Sequence, residues 1–220
     1  MANLQSEVTV EVACTKKKLF DILESSGFFF KERLHITDYY FTHFNLAKVS
    51  VEFKELISNS MLIRNVVLER KYFSPEGITT LIYKKKDVDE CDRCQNEQKI
   101  ECTIDSVVKA RRIFTSMGLK NWITKRITAY VYKRNEVELF IQEVEGIGLF
   151  IELEKYKVTK GGEDETKAKK KMLSELVKFI DSLKVPIKPD YHVNIAHRMY
   201  MQPTQNAAPT KKPAVKKVAK

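Results

Sequence analysis

The sequence predicts an α+β fold in which about eight antiparallel strands form a closed or nearly closed barrel with flanking helices. Short runs of alternating polar and apolar residues recur along the chain, whereas only three long segments have helical spacing. With 43% hydrophobic residues in 220, the chain can bury one substantial core. Closure removes the exposed edges of an antiparallel sheet, so we favour a barrel. An open α+β sheet is the alternative.

The first half of the chain predicts one helix among four strands. Residues 7–14 alternate valine with acidic or small residues, which is typical of a strand with one apolar face. Thr15 then caps a helix that ends at Gly27. Strands follow over 35–41, 60–70 and 78–86. Pro75 and Gly77 predict a reversal between the last two, which makes them antiparallel neighbours.

The second half predicts four more strands and the remaining helices. After a polar, irregular segment at 87–97, a strand spans 99–105 and Ser106 opens a helix that ends near Gly118. Strands at 120–133, 136–143 and 149–158 follow. A long helix then places Leu173, Leu176 and Ile180 on one side, and a short helical segment ends near Tyr200.

The charge distribution divides the chain into a domain at 1–202 and a basic tail at 203–220. The net charge is +10, and half of it comes from five lysines in the last twenty residues. Lys, Pro and Ala dominate the tail, which cannot bury enough apolar surface to offset its ordering entropy, so we predict disorder. It is a nuclear address, a nucleic-acid contact or a solubilising appendage.

Other features predict a cytoplasmic or nuclear protein that has no membrane partner. The N-terminus lacks a secretory pattern, and no apolar run reaches membrane-spanning length. Four cysteines fit a reducing compartment. Cys91 and Cys94 form a CxxC pair, but no second ligand pair completes a zinc site, so we interpret them as free thiols. Aromatic runs at 28–30 and 39–41 predict core packing, with base stacking as the alternative.

The segment 133–154 carries the strongest sign of chemistry. Two alternating runs are joined by a Glu-Gly-Ile-Gly corner, and they deliver Glu152 and Glu154 to one face of a strand. Two carboxylates on one sheet face favour a metal ion or a basic partner. A solvated strand face is the alternative.

Four motifs in order resemble the CYTH domain, the triphosphate tunnel fold of class IV adenylyl cyclases and thiamine triphosphatases. They are TDYYF at 37–41, MLIR at 61–64, LIYK at 81–84 and EVEGIGLFIELE at 143–154. The resemblance spans residues 5 to 200. It implies an eight-stranded tunnel in which acids hold Mg²⁺ or Mn²⁺ while Lys and Arg bind the phosphates of a phosphorylated small molecule.

The resemblance implies two sets of site residues. The phosphate-binding set is Arg64, Lys84 and Lys86, and the metal-binding set is Glu11, Glu101, Glu152 and Glu154. The first acidic motif of the family fits either residues 7–11 or 9–13, and the spacing to the first helix favours the second register, with Glu11.

Several positions depart from the family pattern. The family's Lys-x-Arg pair falls on Ile127 and Ala129, its first strand arginine falls on Leu62, and Gln142 replaces a metal-binding aspartate. Lys125 lies four residues from Ala129, about 13 Å along a strand, so we do not expect it to substitute.

These losses predict a diverged tunnel protein that binds a nucleotide, organic triphosphate or polyphosphate with weak or absent catalysis. Phosphoryl transfer depends almost wholly on positioning and charge stabilisation, which the missing groups would supply. An active divalent-metal-dependent triphosphatase or adenylyl cyclase is one alternative. A scaffold that contacts nucleic acid through its basic tail is the other.

Overall fold

The structure, a computed structural model, describes residues 3–46, 52–69, 77–88, 94–158 and 164–201. The predicted tail, Cys91 and residues 74–76 of the predicted reversal lie outside these ranges. In the described part, no helix is both long and apolar enough to cross a membrane.

Within the described ranges, eight strands and five helices follow one another. The strands are β1 (Asn3–Glu11), β2 (Phe29–Thr42), β3 (Asn59–Leu68), β4 (Ile78–Val88), β5 (Cys94–Ile104), β6 (Lys120–Arg134), β7 (Val137–Val144) and β8 (Gly148–Val158). The helices are α1 (Lys16–Ser25), α2 (Phe53–Ser58), α3 (Val107–Ser116), α4 (Glu165–Ser182) and α5 (Ile195–Met201).

All eight strands form one antiparallel sheet in the order β1-β8-β7-β6-β2-β3-β4-β5, curled into a half-barrel. The antiparallel pairing of β3 with β4 confirms the prediction for these neighbours. The predicted α+β class is also confirmed, but closure is not. Strands β1 and β5 stand at opposite ends of the order, and among the described residues no pairing joins them.

Helices α1, α3 and α4 cover the convex face of the sheet. Alternate residues of β1, β6, β7 and β8 pack against Leu19 and Leu23 of α1 and against Leu176 and Ile180 of α4. Phe41 and Ile63 pack against Phe114 of α3 in the same way. The main core therefore lies between the sheet and these helices, whereas the other face carries polar residues together with a smaller apolar cluster.

The helix caps follow the sequence, while the aromatic run at 28–30 does so only in part. Thr15 and Ser106 accept hydrogen bonds from the backbone N–H of Lys18 and Lys109, both at 3.3 Å, as N-caps do. Phe28 is buried as predicted, but Phe29 and Phe30 are 56% and 50% exposed. The predicted irregular segment is also too long, because β4 extends to Val88 and β5 begins at Cys94.

Candidate functional site

Strand pairing places the predicted site residues on the concave face of the sheet. Residues that lie directly opposite in an antiparallel pair share a face, and alternate residues of a strand do likewise. Glu154 lies opposite Glu7, Arg64 opposite Asp38, and Glu101 opposite Ile82. Tracing the register across the sheet puts six of the seven predicted residues on this face: Glu11, Arg64, Lys84, Glu101, Glu152 and Glu154. The side chain of the seventh, Lys86, lies outside the described ones.

Three carboxylates gather at the β1–β8 end of the concave face. Each of Glu7, Glu152 and Glu154 offers an oxygen atom, and these atoms all lie within 4.8 Å of one another. We call these three residues the acidic trio. The Thr9 hydroxyl donates a hydrogen bond to Glu7 Oε1 at 2.9 Å, and the Tyr156 hydroxyl donates one to Glu154. Carboxylate oxygens at this spacing are the ligands that Mg²⁺ and Mn²⁺ prefer.

Glu152 is the member of the trio whose ionisation is most perturbed. Burial, together with the charges of Glu7 and Glu154, raises its pKa to about 8, although Lys125 and Arg64 act in the opposite direction. At neutral pH the carboxyl group therefore tends to keep its proton. A divalent cation among the three carboxylates would favour the ionised form instead.

Gln142 lies directly beside the trio. Its Nε2 donates a hydrogen bond to Glu152 Oε2 at 2.5 Å, while its buried Oε1 accepts none. A buried carbonyl oxygen without a donor is costly, and it can serve a hard cation as a neutral ligand. The donor set therefore fits a divalent cation, with one charge fewer than an aspartate at this position would give.

A buried cationic group lies on the neighbouring strands. Arg64 donates two hydrogen bonds to the Asp38 carboxylate, at 2.7 and 2.8 Å, and Lys125 Nζ lies 3.4 Å from Asp38 Oδ2. Burial alone would raise the pKa of Asp38, but Lys125 and Arg64 outweigh it and lower the pKa to about 2. Two cations share one carboxylate, which leaves excess positive charge on the side that faces Glu152.

The remaining predicted residues lie apart from these two groups. Glu11 pairs with Lys188 Nζ at 2.6 Å and with Arg198, both from the C-terminal segment. Glu101 pairs with Lys99 at 2.7 Å, and that hydrogen bond lowers the pKa of Glu101. Lys84 lies opposite Ser60 on β3 and is partly buried. The register with Glu7 as first acid is therefore the one that brings an acid to Glu152 and Glu154.

Ile127 and Ala129, where the family pattern expects Lys and Arg, are buried in an apolar cluster on the concave face. They pack with Phe150 and with Val193 and Ile195 from the C-terminal segment. Lys125 has the same strand parity and lies opposite Asp38. Its ammonium group lies beside Asp38 on β2 and not at position 129, so whether Lys125 takes over a phosphate-binding role stays a prediction.

Sequence reasoning considered Glu7 and Lys125 but set both aside, and it did not single out Asp38. For Asp38 the available signal was an acid at the second position of the TDYYF motif. For Lys125 it was a parity shared with Ile127 and Ala129. These signals indicate the site only once β2 is known to pair with β3 and β6, and both pairings join residues that are far apart in the sequence.

A second, open groove of about 850 Å³ lies at the Glu-Gly-Ile-Gly corner. Lys16, His35, Arg126, Glu143 and Glu145 are among its lining residues. Lys16 pairs with Glu143 at 2.8 Å and Arg126 with Glu145 at 3.3 Å, so these charges neutralise one another within the groove. The concave face is therefore the better candidate for an anionic ligand.

No protein-family model matches the chain. A protein of Methanocaldococcus jannaschii, named as a candidate adenylate cyclase, is 27% identical over 182 residues, which cover 83% of this chain and 90% of that protein. A solved structure of a Pyrococcus horikoshii protein matches with a TM-score of 0.64 and 19% identity, over 89% of this chain and 99% of the other.

A candidate adenylyl cyclase of Hippeastrum, described as having a dominant triphosphatase activity, also shares the fold. Its TM-score is 0.55 at 14% identity, and the match covers 90% of this chain and 95% of the other. At these identities the structural matches show the fold alone. The matched proteins therefore share the fold of this chain, and the names of the cyclase-like ones agree with the resemblance of the four sequence motifs to the CYTH, or triphosphate tunnel, family.

Proposed function

We propose that the chain binds a triphosphate-bearing ligand on its concave face, with a divalent cation at the acidic trio and with weak or absent catalysis. The observation that carries the proposal is the position of the trio beside the Arg64–Asp38–Lys125 group on one face. Such an arrangement can hold a metal–phosphate complex from both sides. The names of the relatives, which refer to nucleotide cyclisation and triphosphate hydrolysis, support the same ligand class.

Each part of the face has a distinct role in this proposal. Glu7, Glu152 and Glu154 would hold Mg²⁺ or Mn²⁺, which when bound neutralises phosphate charge and polarises phosphoryl oxygens. Arg64 and Lys125 would contact phosphate oxygens while Asp38 keeps both side chains in place. Lys84, on the same face, extends this cationic surface towards β5.

Weak catalysis follows from the residues at three positions. Ile127 and Ala129 offer no charge to a transferring phosphoryl group, and Gln142 brings no negative charge to the cation. Losing one preorganised charge partner commonly costs about 10²–10³ in rate, and phosphoryl transfer depends on several acting together. The protein would therefore bind its ligand and convert little of it to product.

Calorimetric titration with tripolyphosphate, with and without Mg²⁺ or Mn²⁺, tests the proposal. We expect binding that strengthens with either cation, and we expect Arg64→Ala and Glu154→Gln to weaken it at least tenfold. Arg126→Ala and Glu145→Gln are matched controls, because this exposed pair lies outside the concave face. Binding that is indifferent to the cation and to Arg64 would contradict the proposal.

An active triphosphatase is the second candidate, favoured by the described activity of the Hippeastrum structure. In that case the trio, Arg64 and Lys125 would suffice for hydrolysis, with water as nucleophile. Phosphate release from tripolyphosphate and ATP, and formation of cyclic AMP, measure it directly. Rapid divalent-dependent turnover, abolished by Glu152→Gln, would replace the weak-catalysis proposal with this one.

The nucleic-acid alternative concerns only the tail at 203–220, which lies outside the described residues. Its five lysines would give a salt-dependent affinity for RNA or DNA. Deleting residues 203–220 should then abolish binding at low salt. Unchanged binding after the deletion would dismiss this alternative.

A further inference from the structure

The two edge strands of the sheet differ in what lies beside them. The C-terminal segment covers the second half of β1, where the Val193 N–H donates to the Thr9 carbonyl at 3.0 Å and the Lys188 N–H donates to the Glu11 carbonyl at 2.9 Å. His192 also forms a parallel bridge with Thr9. By contrast, β5 pairs with β4 on its inner side, and within the described ranges no strand or hydrogen-bonded segment lies along its outer side. The open edge of the sheet is therefore β5.

The β5 strand exposes side chains as well as its backbone edge. The five consecutive residues 99–103 are all exposed, although they alternate between the two faces of the sheet, and Ile100 is 69% exposed. An uncovered edge of this kind is a template for pairing with another strand. Charged side chains can protect an edge by repelling a second strand, but Lys99 and Glu101, on either side of Ile100, have opposite signs. They therefore select which strand can pair with β5 and do not exclude pairing altogether.

The sequence around Ile100 is complementary to itself in antiparallel pairing. Directly opposite residues must share a face of the sheet, so a two-fold axis perpendicular to the sheet has to place one residue opposite its own copy. With Ile100 in that position, Lys99 lies opposite Glu101 of the second copy, and Glu101 lies opposite Lys99. A register centred on residue 99 or residue 101 would place like charges directly opposite each other, which is destabilising. The charges therefore favour the register centred on Ile100.

This register brings together charged side chains on one face and apolar side chains on the other. Within one chain the Lys99 Nζ atom lies 2.7 Å from Glu101 Oε2. Two copies would therefore form a group of four alternating charges on the concave face, while the two Ile100 side chains would contact each other on the convex face. Each such cross-strand pair stabilises modestly, and the interface of two short edges is small, so we expect reversible association of modest affinity.

We propose that the protein forms a two-fold dimer in which β5 pairs antiparallel with β5 of a second copy, with Ile100 opposite Ile100. Pairing of β5 with β1 of another copy would give an open-ended chain of molecules, and the C-terminal segment already covers part of β1. The two sheets become continuous in the dimer, and their concave faces point in the same direction. This inference does not depend on the proposed ligand. It gives Glu101, which lies apart from the acidic trio, a role in association.

Sedimentation velocity of the full chain over a dilution series at low salt tests the dimer. We expect a monomer–dimer equilibrium in the wild type. Lys99→Glu and Glu101→Lys each place like charges opposite each other in both cross-strand pairs, so each should weaken self-association at least tenfold. An equimolar mixture of the two variants should dimerise again, because one chain then has two acids where the other has two lysines. The double variant Lys99→Glu/Glu101→Lys should dimerise alone, since both pairs keep opposite charges.

Matched controls separate the pairing of β5 from the change in net charge. Lys17→Glu and Asp21→Lys make the same two charge reversals in an exposed pair on α1, and neither should change the association. Ile100→Asp should prevent dimerisation, whereas Ile78→Asp should not, because Ile78 is 63% exposed on the inner strand β4. A wild type that stays monomeric at its highest soluble concentration would overturn the proposal. So would a dimer that tolerates both single charge reversals at β5, or a mixture of these two variants that stays monomeric.

Discussion

The ionisation of Glu152 links the site to pH at the scale of a single residue. Its pKa of about 8 lies far above the ordinary 4.5 because the carboxyl group is buried beside Glu7 and Glu154. Any cation that binds the trio must displace this proton. The apparent affinity for Mg²⁺ should therefore rise as the pH increases towards 8 and level off above it.

The same residue makes folding stability depend on pH. Between about pH 4.5 and 8 the folded chain holds a proton that the unfolded chain has released, so stability falls as the pH rises through this window. Glu152→Gln removes the titrating group. In urea unfolding without divalent cations, the free energy of unfolding of the variant should match that of the wild type near pH 4.5. Above about pH 8 it should exceed the wild-type value by on the order of a few kcal/mol.

Glu145→Gln, at an exposed acid, is the control and should follow the wild-type pH profile. A Glu152→Gln profile parallel to the wild type would show that the carboxyl group titrates normally.

Asp38 carries the opposite pH dependence. Its pKa of about 2 lies below the ordinary 3.8, so its contribution to stability is complete above pH 4 and is lost as the pH falls through about 2. Asp38→Asn leaves Arg64 and Lys125 side by side without their anion. Breaking a buried pair in this way typically costs about 3–5 kcal/mol.

Urea unfolding at neutral pH measures how much the free energy of unfolding falls in Asp38→Asn. The difference from the wild type should shrink as the pH approaches 2. The matched control is Asp105→Asn, which removes an exposed pair with Lys109 and should lower stability far less. Equal losses for the two variants would contradict the buried role of Asp38.

How much of the site the sequence predicts depends on whether a residue's partner is local. Glu152 and Glu154 share a face by strand alternation alone, and the structure brings them together. Asp38, Arg64 and Lys125 meet only because β2 pairs with β3 on one side and β6 on the other. Local periodicity does not show which residues of distant strands lie opposite each other, so this group could not be predicted.

At the scale of elements, the Glu11 carboxylate fastens the C-terminal segment to the concave face. It pairs with Lys188 and Arg198, and the Lys188 N–H donates to the Glu11 carbonyl at 2.9 Å. Glu11→Gln removes the charge that both cations face. We expect faster amide hydrogen exchange over Ile195–Met201, because the local opening free energy of α5 decreases.

Glu7→Gln is a matched control on the same strand, since Glu7 belongs to the acidic trio and not to this ion pair. It should leave exchange in α5 unchanged. If Glu11→Gln also left it unchanged, the apolar contacts of Val193 and Ile195 would be sufficient to hold the segment.

Elements with strong local signals were predicted, as was the short α5 near Tyr200, but α2 was not. The N-cap residues Thr15 and Ser106 predict from the sequence where α1 and α3 begin. The six-residue α2 has no side-chain cap and too few residues for a helical period to stand out. Its Phe53 side chain, which packs against the rings of Trp122 and Tyr200, was missed for this reason.

At the scale of the whole molecule, the order of strands separates the two halves of the site. The trio lies on β1 and β8, whereas Arg64 and Lys125 lie on β3 and β6. Local alternation predicts the number of strands and their faces, but closure depends on sheet curvature and on how the end strands meet. That geometry is set by the accumulated twist of eight strands, and sequence periodicity does not contain it.

A ligand that bridges these halves should stabilise the entire sheet. Because Mg²⁺ would bind the trio and phosphates would bind both the cation and Arg64, each should raise the affinity for the other by the same factor. Differential scanning calorimetry should therefore show a larger rise in Tm with Mg²⁺ and tripolyphosphate together than the sum of the separate rises. At a hundredfold excess over Kd the stabilisation is about 2.7 kcal/mol, or about 5–10 °C for a domain of this size. Glu154→Gln should remove the excess rise and leave the small effect of tripolyphosphate alone, whereas additive shifts in the wild type would show that the cation and the phosphates bind independently.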